Sequence, residues 1–266
     1  MLNLMLALAL LAADRPVELI AHRGESADAP ENTLAAFRLA WERHVTAIEL
    51  DVHLTKDGRL AVCHDHDTKR TTGVAKAIRD CRWNELMNLP AGHFFGGKYA
   101  SEKLLLLDDA LATIPDGARC FIEVKVGAEA IPALVKAVEA SGKRPEQLAV
   151  ISFNAAVIAE SKRRLPQLKA YYLAGFKHNA AGDWTPSVEQ LIKQAKAIQA
   201  DGLDLSFRGP LDAELVRKIK DAKLKLYVWT VNTVDDARDM VALGVNGITT
   251  DKAAWLHEEL QKPVER

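Results

Sequence analysis

Short apolar runs alternate with amphipathic stretches along the sequence after Pro16, and this alternation limits the possible folds more than any other feature. The runs that predict strands are residues 17–21, 48–53, 121–126, 149–153, 170–173, 202–206, 226–230 and 247–250. Between most of them apolar residues recur at three and four positions, which predicts helices at 33–43, 130–140, 155–164, 188–200, 213–222 and 234–243. Eight strands with intervening helices indicate an α/β fold with a closed parallel sheet, a TIM (β/α)8 barrel. An open doubly wound sheet is less favoured, because no GxGxxG turn follows the first run.

The length and the charge of the chain narrow the possible functions. A chain of 266 residues fits one α/β barrel. Its 35 Lys and Arg side chains nearly balance its 36 Asp and Glu side chains, so we expect no nucleic acid partner, and any anion must be bound by local contacts. The three cysteines, Cys63, Cys81 and Cys120, have no CxxC spacing, which predicts buried thiols rather than disulfides or a zinc site.

Residues 2–13 are almost wholly apolar, and the apolar run stops abruptly at Asp14. This segment is too short to span a bilayer, but it has the length of the apolar part of a secretory signal peptide, although no Lys or Arg precedes it. We expect residues 1–13 to be a cleaved signal peptide, which implies a periplasmic or secreted protein. The alternative is an apolar N-terminal helix packed on the barrel of residues 14–266, which implies a cytoplasmic protein. No stable membrane insertion is expected after processing, because no other segment approaches transmembrane length.

A hairpin signal follows the second strand run. Asp57-Gly58 is a strong two-residue turn motif, so residues 60–64 are expected to return antiparallel to residues 48–53. Counting outward from a two-residue turn places His64 opposite Asp51, where the two Cβ atoms would be neighbours.

The alternation of strands and helices is lost from residue 65 to about residue 105. So long a connection predicts a small insertion in the barrel, or a lid over its active face. Residues 92–99 nearly match a phosphate-binding P-loop, but Tyr99 stands where the magnesium-binding Ser or Thr is required, and no strand precedes the first glycine. We therefore expect no nucleotide site there.

Acidic residues alternate with aliphatic ones in two of the strand runs. Glu49 and Asp51 share one face of the second strand, and Glu123 shares a face of a later strand with Lys125. Carboxylates on a strand that is covered on both sides are costly to bury unless a cation lies between them. We expect a metal site, because paired carboxylates suit hard divalent cations. The alternatives are a solvated strand face for the first two acids and an internal Glu123–Lys125 ion pair, which leaves the first two acids unexplained.

His22 and Arg23 follow the first strand, at the end where barrel enzymes place catalytic groups. Arg23 offers a planar set of donors that suits a phosphate or a carboxylate. Together with His64 and the acids, these residues predict a site with a bound cation, an anion-binding Arg23 and Lys125, and two histidines for proton transfer.

Nine short motifs connect this site with a known family. They are His22-Arg23-Gly24, Pro30-Glu31-Asn32-Thr33, Ile48-Glu49-Leu50-Asp51-Val52, Thr55-Lys56-Asp57-Gly58, His64-Asp65, Thr71-Thr72-Gly73, Phe121-Ile122-Glu123-Val124-Lys125, Ser152-Phe153 and Trp229-Thr230-Val231-Asn232. In order and spacing, from residue 17 to about residue 255, the sequence resembles the glycerophosphodiester phosphodiesterases. The resemblance implies a TIM barrel with an insertion after the second strand and its hairpin.

The resemblance also implies a ligand set and a reaction. One divalent cation, usually Ca²⁺ or Mg²⁺, would be bound by Glu49, Asp51 and Glu123. The substrate would be a small-molecule glycerophosphodiester, which is hydrolysed to glycerol 3-phosphate and an alcohol.

The remaining site residues receive roles from the same resemblance. Arg23 and Lys125 would hold the phosphate oxygens. His22 and His64 would form the acid/base pair, and we take His64 as the acid that protonates the departing alkoxide.

Aromatic residues are candidate walls of the substrate pocket. They are Phe153 and Trp229 near strand ends and Phe94 and Phe95 in the insertion, with core packing as the alternative role. A lysophospholipase D or sphingomyelinase D-like enzyme would use the same metal and histidines and would differ only in these walls. A non-catalytic phosphodiester-binding barrel would have no need for two histidines. Zinc hydrolysis is less favoured, because no histidine-rich ligand set accompanies the acids.

Overall fold

The computed structural model describes residues 17–263 and confirms the closed parallel barrel. The strands are β1 (Glu18–Ala21), β2 (Ala47–Leu54), β3 (Leu60–Val62), β4 (Leu105–Leu106), β5 (Arg119–Val124), β6 (Leu148–Ser152), β7 (Lys169–Ala174), β8 (Lys177–His178), β9 (Trp184–Thr185), β10 (Gly202–Ser206), β11 (Lys225–Trp229) and β12 (Gly247–Thr250). The barrel order is β1, β12, β11, β10, β7, β6, β5 and β2, and β1 pairs with β2 to close the ring. The expected signal peptide, residues 1–13, lies outside the described residues.

Helices follow most of the barrel strands and cover the outside of the barrel. They are α1 (Leu34–Glu42), α2 (Lys69–Thr72), α3 (Trp83–Leu86), α4 (Leu107–Ala112), α5 (Ile131–Ser141), α6 (Ala155–Arg164), α7 (Val188–Ala197), α8 (Ala213–Asp221), α9 (Val234–Leu243) and α10 (Ala253–Gln261). Several begin after a side chain that caps the first turn, as in α1, where the Thr33 hydroxyl accepts a hydrogen bond from the Ala36 N–H. Within residues 17–263, none of the helices has the length and hydropathy needed to cross a bilayer.

Alternation along each strand separates two apolar layers. Ile48, Leu50 and Val52 of β2 belong to the core between the barrel and its helices. A second cluster, which includes Phe121 and Tyr171, fills the interior of the barrel. Along β2 and β5, the side chains that alternate with those of the outer layer therefore point into the barrel.

The predicted hairpin is present, but its turn is one residue longer than predicted. β3 runs antiparallel to β2, with Val52 opposite Val62. The Thr55 N–H donates to the Arg59 carbonyl at 2.8 Å, so the loop contains three residues. Gly58 closes it with a φ of 77°, a left-handed conformation that glycine adopts without strain.

The longer turn changes the predicted register. Cys63, and not His64, lies opposite Asp51, and the Cys63 N–H donates to the Asp51 carbonyl at 3.0 Å. The expectation that His64 faces Asp51 across the hairpin is therefore wrong by one residue. His64 comes next in the chain and still lies close enough to Asp51 for the charge of that carboxylate to act on it.

Between β3 and β4 the chain forms short helices rather than a further strand–helix repeat. α2, α3 and two 3-10 turns (Ile78–Asp80 and Gly97–Tyr99) lie in this segment. Ile78 and Leu86 are buried in a small separate core, which also contains Leu104. β4, which the sequence did not predict, pairs antiparallel with β3 and returns the chain to the barrel.

Candidate active site

Three carboxylates from two neighbouring strands meet inside the barrel. Glu49 and Asp51 lie on the inner face of β2, and Glu123 lies on the inner face of β5, directly opposite Asp51 in the parallel register. All three are buried, and one oxygen from each lies within 4.8 Å of the others. The structure therefore brings together the acids that the sequence assigned to a metal.

Two cationic side chains border this acidic cluster. Lys125 places its Nζ 2.9 Å from Glu123 Oε1 and 3.4 Å from Asp51 Oδ1. Arg23 places its Nε 3.3 Å from Asp51 Oδ2, and its backbone N–H donates to Glu49 Oε2 at 3.0 Å. Both cations are thus held beside the acids at the end of the barrel where β1 finishes.

The electrostatic environments of the three carboxyls differ. Burial raises the pKa of Glu49 well above its usual value, and the charges of Asp51 and Glu123 add to that effect. Burial likewise raises the pKa of Glu123 to about 7. Burial opposes the ionisation of Asp51 as well, but the charges of Arg23 and Lys125 overcome it and lower the pKa of that carboxyl. The charges of Arg23 and Lys125 thus prevail at Asp51, whereas burial and the neighbouring carboxylates prevail at Glu49 and Glu123.

An unpaired oxygen in the cluster decides between the alternatives that the sequence left open. The Glu123–Lys125 ion pair exists. However, Glu49 Oε1 is buried with no hydrogen-bond partner among residues 17–263, and Asp51 Oδ1 has only the 3.4 Å contact with Lys125 Nζ. Buried carboxylate oxygens are costly without a partner, and an oxygen-only donor set is the one that Ca²⁺ and Mg²⁺ prefer. The three residues therefore fit a hard divalent cation better than an internal ion pair or a solvated strand face.

Asn32, to which sequence reasoning gave no role, orients Asp51. Its amide Nδ2 donates to Asp51 Oδ2 at 2.8 Å, and its Oδ1 accepts from the Asp51 N–H at 3.3 Å. Asn32 and Arg23 both have a φ of 57°, an uncommon conformation that turns the chain tightly after β1. This turn presents the Arg23 N–H and the Asn32 amide to the same pair of acids.

His22 is tethered by a carboxylate from the last barrel strand. Its Nδ1 lies 2.6 Å from Asp251 Oδ1, so Nδ1 donates and Nε2 is left as the second ring nitrogen. Neutral groups hold Asp251 in turn, through donors from Asn232 and Ser26. Sequence reasoning missed Asp251, although its place directly after β12 is the strand-end signal that selected His22.

His64 is tethered in a similar way, but in a different electrostatic setting. Its Nδ1 lies 2.7 Å from Asp65 Oδ1. Burial lowers the pKa of His64 and the positive charges of Arg23 and Lys125 also lower it, whereas Asp51 and Asp65 act to raise it. The net effect favours the neutral imidazole.

Phe153 and Trp229 lie next to each other rather than within the acidic cluster. Their rings meet edge to face, with centroids 5.5 Å apart. The Trp229 indole N–H donates to the Asp204 carbonyl at 3.1 Å, while Phe153 remains about half exposed. Their role in substrate binding stays a prediction.

Two cavities open at this end of the barrel. One, of about 540 Å³, is polar and is lined by His22, Arg23, Asn232 and Asp251 among others. The other, of about 700 Å³, lies against the segment between β3 and β4, where Phe94 and Phe95 form part of its wall. Ser26 and Glu31 line both cavities, so the two are adjacent.

Comparison with known proteins places the chain in a family. Residues 22–254 match the Glycerophosphoryl diester phosphodiesterase family. A glycerophosphodiester phosphodiesterase of Caldanaerobacter subterraneus subsp. tengcongensis is 35% identical over 248 residues, which cover 91% of this chain and 97% of that relative. Glycerophosphodiester phosphodiesterase 1 of Bos taurus is 30% identical over 83% of this chain and 73% of its own length.

Solved structures agree with the sequence comparisons. A phosphodiesterase of Oleispira antarctica, determined in complex with the product sn-glycerol-3-phosphate, aligns with a TM-score of 0.84 and 27% identity, and the alignment covers 92% of this chain and 97% of that one.

Proposed function

Because the chain belongs to the glycerophosphoryl diester phosphodiesterase family, we propose that it hydrolyses glycerophosphodiesters to glycerol 3-phosphate and an alcohol. Enzymes of this family are phosphoric diester hydrolases, and the chain is an enzyme of that class. The observation that carries the proposal is the buried cluster of Glu49, Asp51 and Glu123, with Glu49 Oε1 unpaired among the described residues and two cations at its border. The product bound to the Oleispira antarctica relative is the product expected here.

Glu49, Asp51 and Glu123 would hold one divalent cation, Ca²⁺ or Mg²⁺. When bound, the cation supplies positive charge that stabilises negative charge developing on the phosphate oxygens. The buried Glu49 Oε1, which has no hydrogen-bond partner among the described residues, supports this assignment. So does the raised pKa of Glu49, since a nearby cation would compensate for the burial and the neighbouring acids that disfavour its ionised form.

Arg23 and Lys125 would bind the phosphate of the substrate. Arg23 donates with one edge of its guanidinium to Glu31, at 2.8 Å, and lies beside Asp51. Carboxylates thus fix the position of the Arg23 guanidinium at the mouth of the site before substrate arrives. Such preorganised positive charge stabilises a transition state without reorganisation during the reaction.

His22 and His64 would transfer the protons, and the structure gives a reason to exchange the roles taken from the sequence. Neutral donors from Asn232 and Ser26 hold Asp251, and its carboxylate orients the His22 ring through the 2.6 Å contact with Nδ1. Burial keeps the pKa of His64 low, which suits a ring that accepts a proton. We therefore assign His64 as the base toward the attacking hydroxyl and His22 as the acid toward the leaving alkoxide.

Substrates with different leaving groups test these roles. Activity on glycerophosphocholine should fall at least about a hundredfold in both His22→Ala and His64→Ala. With a p-nitrophenyl phosphodiester, whose leaving group needs no proton, His22→Ala should recover much of its activity and His64→Ala should not. The exposed His66 provides the control, since His66→Ala should behave as the wild type. Recovery in His64→Ala alone would restore the assignment of His64 as the acid. Near-normal turnover of glycerophosphocholine in either variant would remove that histidine from the mechanism.

The cation site has a test that does not depend on activity. Added Ca²⁺ or Mg²⁺ should raise the melting temperature of the chelator-treated protein. At a hundredfold excess of the cation over its Kd, the free energy of unfolding should increase by about 2.7 kcal/mol. Glu123→Gln should lose this response together with activity, whereas His22→Ala should keep it. An unchanged cation titration in Glu123→Gln would contradict the three-acid site.

A second candidate function has one observation in its favour. The larger cavity is bordered by Phe94, which is 66% exposed, and by Phe95. An apolar wall beside the site suits a substrate with a hydrocarbon chain, as in a lysophospholipase D or a sphingomyelinase D-like enzyme. Comparing kcat/KM for glycerophosphocholine and lysophosphatidylcholine in the wild type and in Phe94→Ser separates the two, because only chain binding should depend on Phe94.

A further inference from the structure

One arginine outside the residues assigned above bridges two parts of the site. Arg70, in α2, donates from Nε and Nη2 to the two oxygens of Asp65, at 2.7 and 3.1 Å. It also donates from Nη1 and Nη2 to the two oxygens of Glu31, at 2.6 and 2.8 Å. One guanidinium thus makes two bidentate contacts, the arrangement in which arginine binds carboxylates most specifically.

Each carboxylate continues to a residue with a proposed role in the reaction. Asp65 accepts from His64 Nδ1 at 2.7 Å, and Glu31 accepts from Arg23 Nη1 at 2.8 Å. The charges alternate along this path, from imidazole to carboxylate to guanidinium and on to the second carboxylate and guanidinium. Arg70 is therefore two hydrogen bonds from the imidazole of His64 and two from the guanidinium of Arg23.

The groups on this path come from separate parts of the chain. Glu31 lies in the turn between β1 and α1, whereas Asp65 and Arg70 lie in the segment that follows β3. The contact between Arg70 and Glu31 spans 39 residues of sequence. Arg70 therefore fixes the segment after β3 to the first loop of the barrel, at the junction of the two cavities.

We propose that Arg70 is a positioning residue that sets His64 and Arg23 in their working geometry at the same time. The inference rests on the proposed function for the roles of those two residues. Arg70 holds Asp65 through two bonds, which fixes the carboxylate that orients the His64 ring. It also shares the charge of Glu31, so that Glu31 does not draw Arg23 away from a bound phosphate.

Exposure separates this role from a purely structural one. The Arg70 side chain is 48% exposed, and ion pairs in contact with solvent contribute little to the free energy of unfolding. The hydrogen bonds of Arg70 nevertheless lower the pKa of Asp65 and of Glu31, and both carboxylates stay ionised. Loss of Arg70 should therefore affect the reaction far more than the fold.

The first experiment compares variants at position 70 with a matched control. Arg70→Ala should lower kcat about tenfold to a hundredfold through His64 and raise KM through Arg23, with a melting temperature near that of the wild type. Arg70→Lys, which keeps the positive charge but not the planar set of hydrogen-bond donors, should recover only part of the lost activity. Arg79 lies in the same segment, is 85% exposed and, among residues 17–263, makes a single ion-pair contact, at 3.7 Å with Asp80, so Arg79→Ala should match the wild type.

Chemical rescue gives a readout that a structural role would not move. Guanidinium chloride, at concentrations well below those that unfold the protein, should restore part of the kcat of Arg70→Ala and leave the wild type and Arg79→Ala unchanged. If Arg70→Ala showed no rescue and Arg70→Lys were fully active, the charge at position 70 alone would matter. That result would overturn the proposal that Arg70 positions His64 and Arg23 together.

A double-mutant cycle tests the connection itself. Asp65→Asn should act mainly on kcat and Glu31→Gln mainly on KM, and the two effects should be non-additive in kcat/KM when Arg70 is present. In the Arg70→Ala background the same two changes should become additive. Additivity in both backgrounds would refute the proposal.

Failure of this proposal can be distinguished from failure of the proposed function. Wild-type kinetics in Arg70→Ala, with His64→Ala inactive, would refute the role of Arg70 and leave the hydrolase intact. No hydrolysis by the wild-type protein, or full activity in His64→Ala, would refute the function itself.

Discussion

A buried acid on the far side of the barrel interior from β2 should make stability depend on pH in a measurable way. Asp204 lies on β10 between Leu203 and Leu205, which both belong to the outer core, so its side chain points into the barrel. It is 2% exposed, and its Oδ1 has no hydrogen-bond partner. Burial raises the pKa of Asp204 well above its usual value, and the charge of Glu123 adds to the effect.

The sign and size of the effect follow from proton linkage. In the unfolded chain an aspartate has a pKa of about 3.9, whereas in the folded protein Asp204 keeps its proton to much higher pH. Between these two values the folded state binds one more proton, so the free energy of unfolding falls by about 1.4 kcal/mol per pH unit. The contribution is fully present below about pH 4 and is lost as the pH rises through the folded-state pKa; over two pH units the loss is about 2.7 kcal/mol.

Asp204→Asn removes the titration and nearly preserves the shape of the side chain. The buried amide introduces an offset of about 1–3 kcal/mol if its N–H groups lack acceptors, but this offset does not change with pH. The prediction therefore concerns the slope. Above about pH 4, the free energy of unfolding of the wild type minus that of Asp204→Asn should fall as the pH rises, with a limiting slope of about 1.4 kcal/mol per pH unit below the folded-state pKa of Asp204.

Urea unfolding in buffers of equal ionic strength measures this difference. A chelator should be present, so that no cation on the neighbouring acids changes with pH. Asp116→Asn is the control, since Asp116 is fully exposed and its curve should run parallel to that of the wild type. If the free energy of unfolding of Asp204→Asn also ran parallel to that of the wild type across the pH range, the reasoning would be refuted. Asp204 would then be ionised in the folded protein as it is in the unfolded one.

Three further predictions concern the surroundings of the site. Asp251→Asn should lower kcat about a hundredfold with little change in KM, because the amide can donate to Nδ1 and hold the His22 ring in the other tautomer; unchanged kcat in steady-state assays would contradict this. Gly24→Ala should destabilise the protein by about 2 kcal/mol or more in urea unfolding, since φ is 82° and the new Cβ would meet α1 atoms at 2.7 Å, whereas Gly142→Ala, with open space around it, should cost about 1 kcal/mol. Thr33→Ala should cost about 1 kcal/mol through loss of the helix cap and leave kcat unchanged, as thermal unfolding and assays on the same sample would show.

The barrel could be predicted from the sequence because its signals are local. Each barrel strand is a short apolar run, and the helices that follow repeat apolar residues at three and four positions. α6 and α9 have the bounds that the sequence predicts. The acids were equally accessible, because period-two alternation assigns Glu49, Asp51 and Glu123 to the inner faces of their strands without any knowledge of the tertiary contacts.

The hairpin shows where a local signal becomes ambiguous. Asp57-Gly58 fits a two-residue turn, but it also fits the last two positions of a three-residue turn with glycine in the left-handed conformation. The structure has the second form. A shift of one residue changes which side chain lies opposite Asp51, so the predicted neighbour was wrong although the strand and its direction were right.

The contacts of Arg70 could not be predicted from local sequence signals, because the sequence around it offers several equivalent cations. Lys69 precedes it directly, and other basic residues follow within the same segment. What selects Arg70 is the rotation of α2, which buries Thr72 and places the Arg70 guanidinium on the carboxylate of Glu31. That rotation decides which side chain of a single helical turn faces Glu31. The groups that perform the chemistry can therefore be found from strand periodicity, whereas the groups that hold them in place depend on the rotation of short elements, which only three-dimensional structure provides.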